Sequence, residues 1–252
     1  MLQLATAISK SEIADNIYEL VLKTALGKYT LRPGQFVHVR VSKSVEHVLR
    51  RPISISNIDK GNNEITITFR AEGPGTKKLA EIKEGETVDV LMPLGNGYNI
   101  ESAKAGEHVL IVGGGIGVPP LYELSKQLHE RGVKTTHVLG FNSRKDVFYE
   151  ADFKAFGETY VATADGTYGT KGFVTDVIGE IGTGFDKFYA CGPKVMLKVL
   201  DETMPMDGFI SLEERMGCGF GVCYACVCDT KDGRQVKICT DGPVFEKGAV
   251  VL

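Results

Sequence analysis

Apolar and polar side chains alternate through residues 35–41 and again through 64–70, with Gly, Pro and Asn between the runs. A period of two buries one face of a strand and wets the other, so both segments are expected to be half-buried strands. Several short strands in succession predict an antiparallel β-barrel over residues 1–100. Residues 75–82 break the period, and their apolar spacing suits one short helix after the turn Gly73-Pro74.

At residue 108 the pattern changes. A continuous apolar run, 108–112, enters Gly113-Gly114-Gly115-Ile116-Gly117 and then a helical stretch, 119–130. Strand-like runs at 133–141, 158–163 and 187–191 then alternate with helical ones at 173–181 and 193–202, which predicts an α/β parallel-sheet domain over residues 101–210. From residue 211 the chain is rich in glycine and cysteine, with a hairpin signal at Lys231-Asp232-Gly233. We therefore expect a multidomain chain with a small C-terminal unit, 211–252.

Composition narrows the function. With 252 residues, 43% hydrophobic and 24% charged, the chain suits soluble globular domains, two of them plus an appendage. A formal charge of -3 with both signs interspersed offers no basic footprint for nucleic acid. No basic-then-apolar leader and no apolar run near ~18 residues is present, so no membrane span is expected and a cytoplasmic location is.

Five of the six cysteines crowd into the last stretch, where metal binding explains them better than disulfides. Cys218, Cys223, Cys226 and Cys239 spell C-x4-C-x2-C with a distant fourth ligand, the plant-type [2Fe-2S] spacing. Gly217, Gly219 and Gly221 let the backbone turn its N–H groups toward the sulfurs. Four thiolates would also suit zinc, although zinc sites usually pair two short C-x-x-C clips and only one is present here. Cys228 is expected to pack as a small hydrophobe, and Cys191 stands alone.

Two other segments suit anions. The loop Gly113–Gly117 lies where strand meets helix, so its N–H groups can hold a pyrophosphate, although Val118 fills the third glycine position of G-x-G-x-x-G and a turn needed only for packing would look the same. Gly73-Pro74-Gly75-Thr76 opens a helix in the same manner. Arg51-Pro52-Ile53-Ser54 offers a cation and a hydroxyl that suit a flavin's phosphates and ring, or simply a solvated strand end. His38 and His108 read as strand residues.

Arg51-Pro52-Ile53-Ser54, the Gly113 loop and Cys191-Gly192-Pro193 together resemble the ferredoxin-NADP reductase superfamily, in which a flavin barrel precedes a nucleotide domain. Ile53 replaces that motif's aromatic residue, so no ring can stack on the flavin from this position. Within the superfamily the whole length resembles the electron-transfer subunits of two-subunit, NAD-dependent dihydroorotate dehydrogenases. The more specific pieces are the Gly73 turn, Pro93-Leu94-Gly95-Asn96-Gly97, the Gly113 loop through Leu121, Glu213-Glu214-Arg215-Met216-Gly217-Cys218-Gly219, and Asp241-Gly242-Pro243-Val244-Phe245. The cluster segment also follows the reductase domains rather than preceding them.

That resemblance implies FAD at Arg51, Pro52, Ile53, Ser54, Thr68, Phe69, Arg70, Gly75 and Thr76. It implies NAD at Gly113, Gly114, Gly115, Gly117 and the Cys191 region, where a buried core thiol is an equal alternative to nicotinamide contact. The expected fold is thus an antiparallel β-barrel flavin domain, an α/β nucleotide domain and a small [2Fe-2S] domain. Electrons from dihydroorotate, oxidised at FMN in a catalytic partner subunit, would pass through the cluster and FAD to NAD+, in a heterotetramer of two plus two. An orotate-forming barrel alone takes roughly 250 residues, so a separate partner is implied. Two rivals share the layout. One is the flavin and iron-sulfur subunit of an NADP-dependent ferredoxin oxidoreductase or sulfhydrogenase, for which Asn142-Ser143-Arg144-Lys145 could read a 2'-phosphate. The other is a non-enzymatic electron carrier.

Overall fold

The computed structural model describes residues 1–42 and 44–252. Six antiparallel strands, β1 (Leu2–Ala14), β2 (Ile17–Lys23), β3 (Phe36–Val39), β4 (Arg51–Asp59), β5 (Glu64–Arg70) and β6 (Thr87–Leu94), close into a barrel in the order β1-β2-β5-β4-β3-β6. Alternation decides which side chains fill it: Val37 and Val39 of β3 meet Ile65 and Ile67 of β5 in the barrel core. The short helix is α1 (Pro74–Ala80). Proline suits its first turn, and the Thr76 hydroxyl accepts from the Gly73 N–H at 3.2 Å while donating to the Gly73 carbonyl at 3.1 Å.

Strand β3 is buried on both faces. Phe36 and His38 point away from the barrel core, yet His38 is 0% exposed. Phe36 packs in one apolar cluster with Met216, Cys226, Ile238 and Cys239, so the C-terminal segment covers the outside of β3.

Beyond the barrel, β7 (His108–Gly114), β8 (Lys134–Phe141), β9 (Gly157–Thr163), β10 (Thr170–Lys171), β11 (Lys187–Cys191), β12 (Gly208–Ser211) and, after a small hairpin, a three-residue C-terminal strand form a sheet. The hairpin is β13 (Val227–Asp229) and β14 (Gln235–Lys237), and the last strand is β15 (Val244–Glu246). The order is β10-β9-β8-β7-β11-β12-β15. All pairs are parallel except β12 with β15, which is antiparallel. The sequence pattern predicted β7, β8, β9 and β11, whereas β10, β12 and β15 are too short to show a period. Helices α2 (Pro119–Glu130), α3 (Glu150–Lys154), α4 (Val174–Ile181) and α5 (Lys194–Thr203) connect the strands.

From β7 the chain moves outward through β8 and β9, then returns to β11 on the other side of β7. Such a reversal opens a crevice at the carboxyl ends of the strands, which is where ligands bind in open α/β sheets. No helix among the described residues is long and apolar enough to cross a membrane.

Candidate functional site

Two segments that are distant in sequence, both expected to face an anion, meet on the barrel. Arg51 opens β4, and its guanidinium lies across the first turn of α1: a Cβ on Gly75 would come within 2.5 Å of Nη2. A cation and the N–H groups of a helix start therefore face one volume, as a phosphate requires. Ile53 belongs to the barrel core, whereas Ser54 is half-buried beside it. Phe69 is buried and stacks on Tyr18 at 5.9 Å, and the Thr68 hydroxyl is engaged with Ser56 at 3.2 Å and Tyr149 at 2.9 Å. From these two residues only backbone is offered to a ligand. Arg70 differs, since its buried Nε has no partner among the described residues and its Nη2 would lie 3.8 Å from a Cβ on Gly115.

Arg70 thereby joins the barrel site to a cleft of about 720 Å³ at the reversal of the sheet, lined also by Gly114, Gly115, Gly117, Gly192 and Pro193. Its floor is set by close approach of two loops. A Cβ on Gly117 would sit 2.5 Å from the Cys191 carbonyl carbon, and one on Gly114 would sit 2.8 Å from Pro193 Cδ. These glycines permit that close approach and line the cleft, a place that suits a dinucleotide's pyrophosphate. Gly113 serves packing, because a Cβ there would meet Val118.

The four cysteines expected as ligands span 22 positions of sequence numbering, 218 to 239 counted inclusively. Cys218 Sγ accepts from the Cys223 N–H at 3.4 Å, and Cys223 Sγ accepts from the Cys218 N–H at the same distance. Burial pushes the Cys218 thiol up, but the N–H groups of Cys223, Phe220 and Val222 outweigh it and bring the group down to about 6. A thiolate is thus favoured where iron would need one. Burial, and after it the neighbouring Cys226 thiol, pushes Cys239 up to about 12. Among the described residues no three His, Cys, Asp or Glu side chains converge as ligands of a single ion do. The C-x4-C-x2-C spacing with its distant fourth cysteine favours a two-iron cluster over tetrahedral zinc.

The segment is fastened on both sides. Ile238 N–H donates to the Cys226 carbonyl at 2.9 Å, and Lys237 Nζ donates to the Gly221 carbonyl at 2.7 Å. Asn96 grips the turn after the last ligand, with its N–H on the Gly242 carbonyl at 2.6 Å and its Nδ2 on the Thr240 carbonyl at 2.9 Å. Two of the motifs noted in the sequence, Pro93–Gly97 and Asp241–Phe245, are therefore halves of one joint.

Known proteins share this arrangement. Residues 3–98 match the model of an oxidoreductase FAD-binding domain, and residues 213–251 match the iron-sulfur cluster binding domain of dihydroorotate dehydrogenase B. The electron transfer subunit of NAD+-dependent dihydroorotate dehydrogenase B from Lysinibacillus sphaericus is 57% identical over 97% of this chain and 96% of its own. The chain belongs to that family. Its counterpart from Bacillus cereus strain AH187 is 55% identical with the same coverage. A solved NADH-dependent reduced ferredoxin-NADP oxidoreductase superposes with a TM-score of 0.87 at 30% identity, covering 98% of this chain and 90% of the other.

In this dihydroorotate dehydrogenase B family member the Cys191 thiol is 1% exposed and held well above its usual range by burial and by the Glu213 carboxylate. Its neighbours Gly192 and Pro193, rather than its sulfur, reach the cleft. Of the segment considered for a 2'-phosphate, Asn142 lines the cleft. Lys145 is paired with Asp15 at 2.8 Å and Arg144 rests over the Tyr168 ring at 5.0 Å. Sequence reasoning left out Glu213 as a site residue, although it too lines the cleft. It also read His38 as an ordinary strand residue, because nothing in a local alternation reveals what covers the outer face.

Proposed function

We propose that this chain carries electrons from a partner subunit, where dihydroorotate is oxidised at FMN, through a [2Fe-2S] cluster on Cys218, Cys223, Cys226 and Cys239 and then FAD to NAD+, in pyrimidine biosynthesis. FAD is the group able to exchange a hydride with nicotinamide and single electrons with a cluster. The observation that carries the reading is the contiguity of the three sites. Phe36 and His38 of β3 lie under the cluster segment, β4 beside β3 bears Arg51, and Arg70 of the same barrel opens onto the glycine cleft.

Each group has residues that fit it. Arg51 and the start of α1 bind a phosphate, and Arg70 with the Gly113 loop orients a dinucleotide against the barrel. The backbone N–H groups around Cys218 hold negative charge on sulfur. We assign FAD to residues 1–100, NAD to 101–210 and the cluster to 211–252, with Arg51, Ser54, Arg70, Gly75, Thr76, Gly114, Gly115 and Gly117 as the main nucleotide contacts. The remaining expected positions, Pro52, Ile53, Thr68, Phe69, Gly113 and Cys191, support these through backbone and packing. The working assembly is a cytoplasmic heterotetramer of two catalytic and two electron-transfer subunits.

The test is anaerobic co-purification followed by dihydroorotate-dependent NAD+ reduction. An FMN-containing partner and a requirement for both chains are expected. NADPH-dependent reduction of ferredoxin or a sulfur acceptor, without dihydroorotate turnover, would replace this reading with that of the ferredoxin-NADP oxidoreductases.

A further inference from the structure

His38 is fully buried on the outer face of β3, and its Nδ1 lies 3.1 Å from the carbonyl oxygen of Cys218, a residue 180 positions away. A carbonyl only accepts, so Nδ1 carries the proton and donates. The other nitrogen, Nε2, is buried with no partner among the described residues. A second ring proton there would have no acceptor.

The fit is close. Gly219 has φ +78, and a Cβ on it would sit 2.5 Å from His38 Nδ1, so the turn after Cys218 is pressed onto the ring. That turn aims the Cys223 N–H at Cys218 Sγ, 3.4 Å away. On its other side His38 is backbone to the barrel. It stands opposite Pro52 of β4, the second residue of the Arg51 segment, and its carbonyl accepts from Arg50 Nη1 at 3.3 Å. Arg50 in turn is paired with Asp89 of β6 at 2.9 Å. One side chain thus ties the first cluster ligand to the strand next to the flavin segment.

We propose that His38 is a positioning residue for electron transfer between the cluster and FAD, fixing the Cys218 turn at a set height above the flavin strand and with it the hydrogen bonds that tune the cluster. This rests on the reading above, in which the cluster and FAD exchange electrons. Hydrogen bonds to cluster sulfurs are among the determinants of reduction potential, and outer-shell partners of metal ligands are commonly worth about 10- to 100-fold in function.

The experiment compares His38→Leu, which removes the donor, with His38→Asn, which keeps one, in the assembled holoenzyme. Iron and FAD content, the cluster's EPR spectrum and midpoint potential, and the rates of flavin reduction by NADH and of cluster reduction by flavin are all read. In His38→Leu we expect an altered EPR spectrum, a displaced potential and cluster reduction slowed about tenfold or more, with flavin reduction by NADH unchanged. His38→Asn should return all three to near the wild-type values. A His38→Leu enzyme with full iron and wild-type spectrum, potential and transfer rate overturns the proposal. If His38→Leu fails to assemble its cluster, His38→Asn decides: wild-type potential and rate support the role, and loss of both refutes it. Failure of the wild-type cluster to be reduced by flavin at all would instead count against the electron path.

Discussion

The Arg51 guanidinium lies against Gly75, so closely that a methyl group on Gly75 would come within 2.5 Å of Nη2. Twenty-four positions separate the two residues, and the barrel's strand order brings them together. Gly75→Ala must push the cation off the helix start. Loss of one charge-assisted contact of about 1.5–3 kcal/mol should weaken FAD binding by roughly 10- to 100-fold. Flavin titration of the apoprotein checks this, with the far-UV circular dichroism unchanged; undiminished affinity would remove Arg51 from the site.

The C-terminal thiols should separate cleanly by role. Cys223 exchanges N–H···S contacts with Cys218, whereas Cys228 sits in the hairpin opposite Val236 and has its thiol raised by burial. Cys223→Ala should therefore abolish the visible absorption of the cluster, and Cys228→Ser should retain it. Iron per chain is the measurement, and equal iron in the two variants would defeat the ligand assignment.

These contrasts show what the chain reveals of itself. Glu64–Arg70 is read to the residue from the alternation of Ile65, Ile67 and Phe69 with polar side chains, even though the fold buries Thr66 and Thr68 on the other face as well. Pro119–Glu130 is equally legible, since proline marks its start and a 3.6-residue period its buried stripe. The spacing of Cys218, Cys223 and Cys226 is a local property of one loop and needs no tertiary context. His38 is the opposite case. Its burial depends on a segment that begins some 175 residues later, so local alternation made it look like any outward-facing polar residue. For the same reason β15 escaped notice: three residues gain their strand character from the edge of β12, not from their own pattern.

Gly117 tests the nucleotide cleft. A Cβ there would lie 2.5 Å from the Cys191 carbonyl carbon, a backbone atom that no rotamer change can move aside. Gly117→Ala should displace the loop at a cost of about 1–3 kcal/mol and raise the NADH concentration needed to bleach the flavin by roughly 5- to 100-fold. Iron and FAD content should stay at wild-type levels. Bleaching at unchanged NADH concentration would place the dinucleotide elsewhere.

Acid should find a weak point under α2. His137, in the middle of β8, is fully buried between the Ser125 hydroxyl at 2.6 Å and the Thr159 hydroxyl at 3.0 Å, with the Phe153 ring edge-on at 4.9 Å. Burial lowers its proton affinity from 6.5 to about 3, so the folded chain keeps it neutral where the unfolded chain would charge it. Because the unfolded state binds the extra proton, the contribution is fully present above pH 6.5 and is lost progressively as pH falls toward 3. Between about pH 7.5 and 5 the loss amounts to about 2 kcal/mol. Urea unfolding at the two pH values should show that difference in the wild-type chain and a smaller one in His137→Gln, whose side chain does not titrate. The variant will also be less stable at neutral pH, since the hydroxyls it must satisfy were set for a ring. The slope with pH, not the absolute stability, is the quantity that identifies His137, and equal slopes in both proteins would assign the acid sensitivity to other groups.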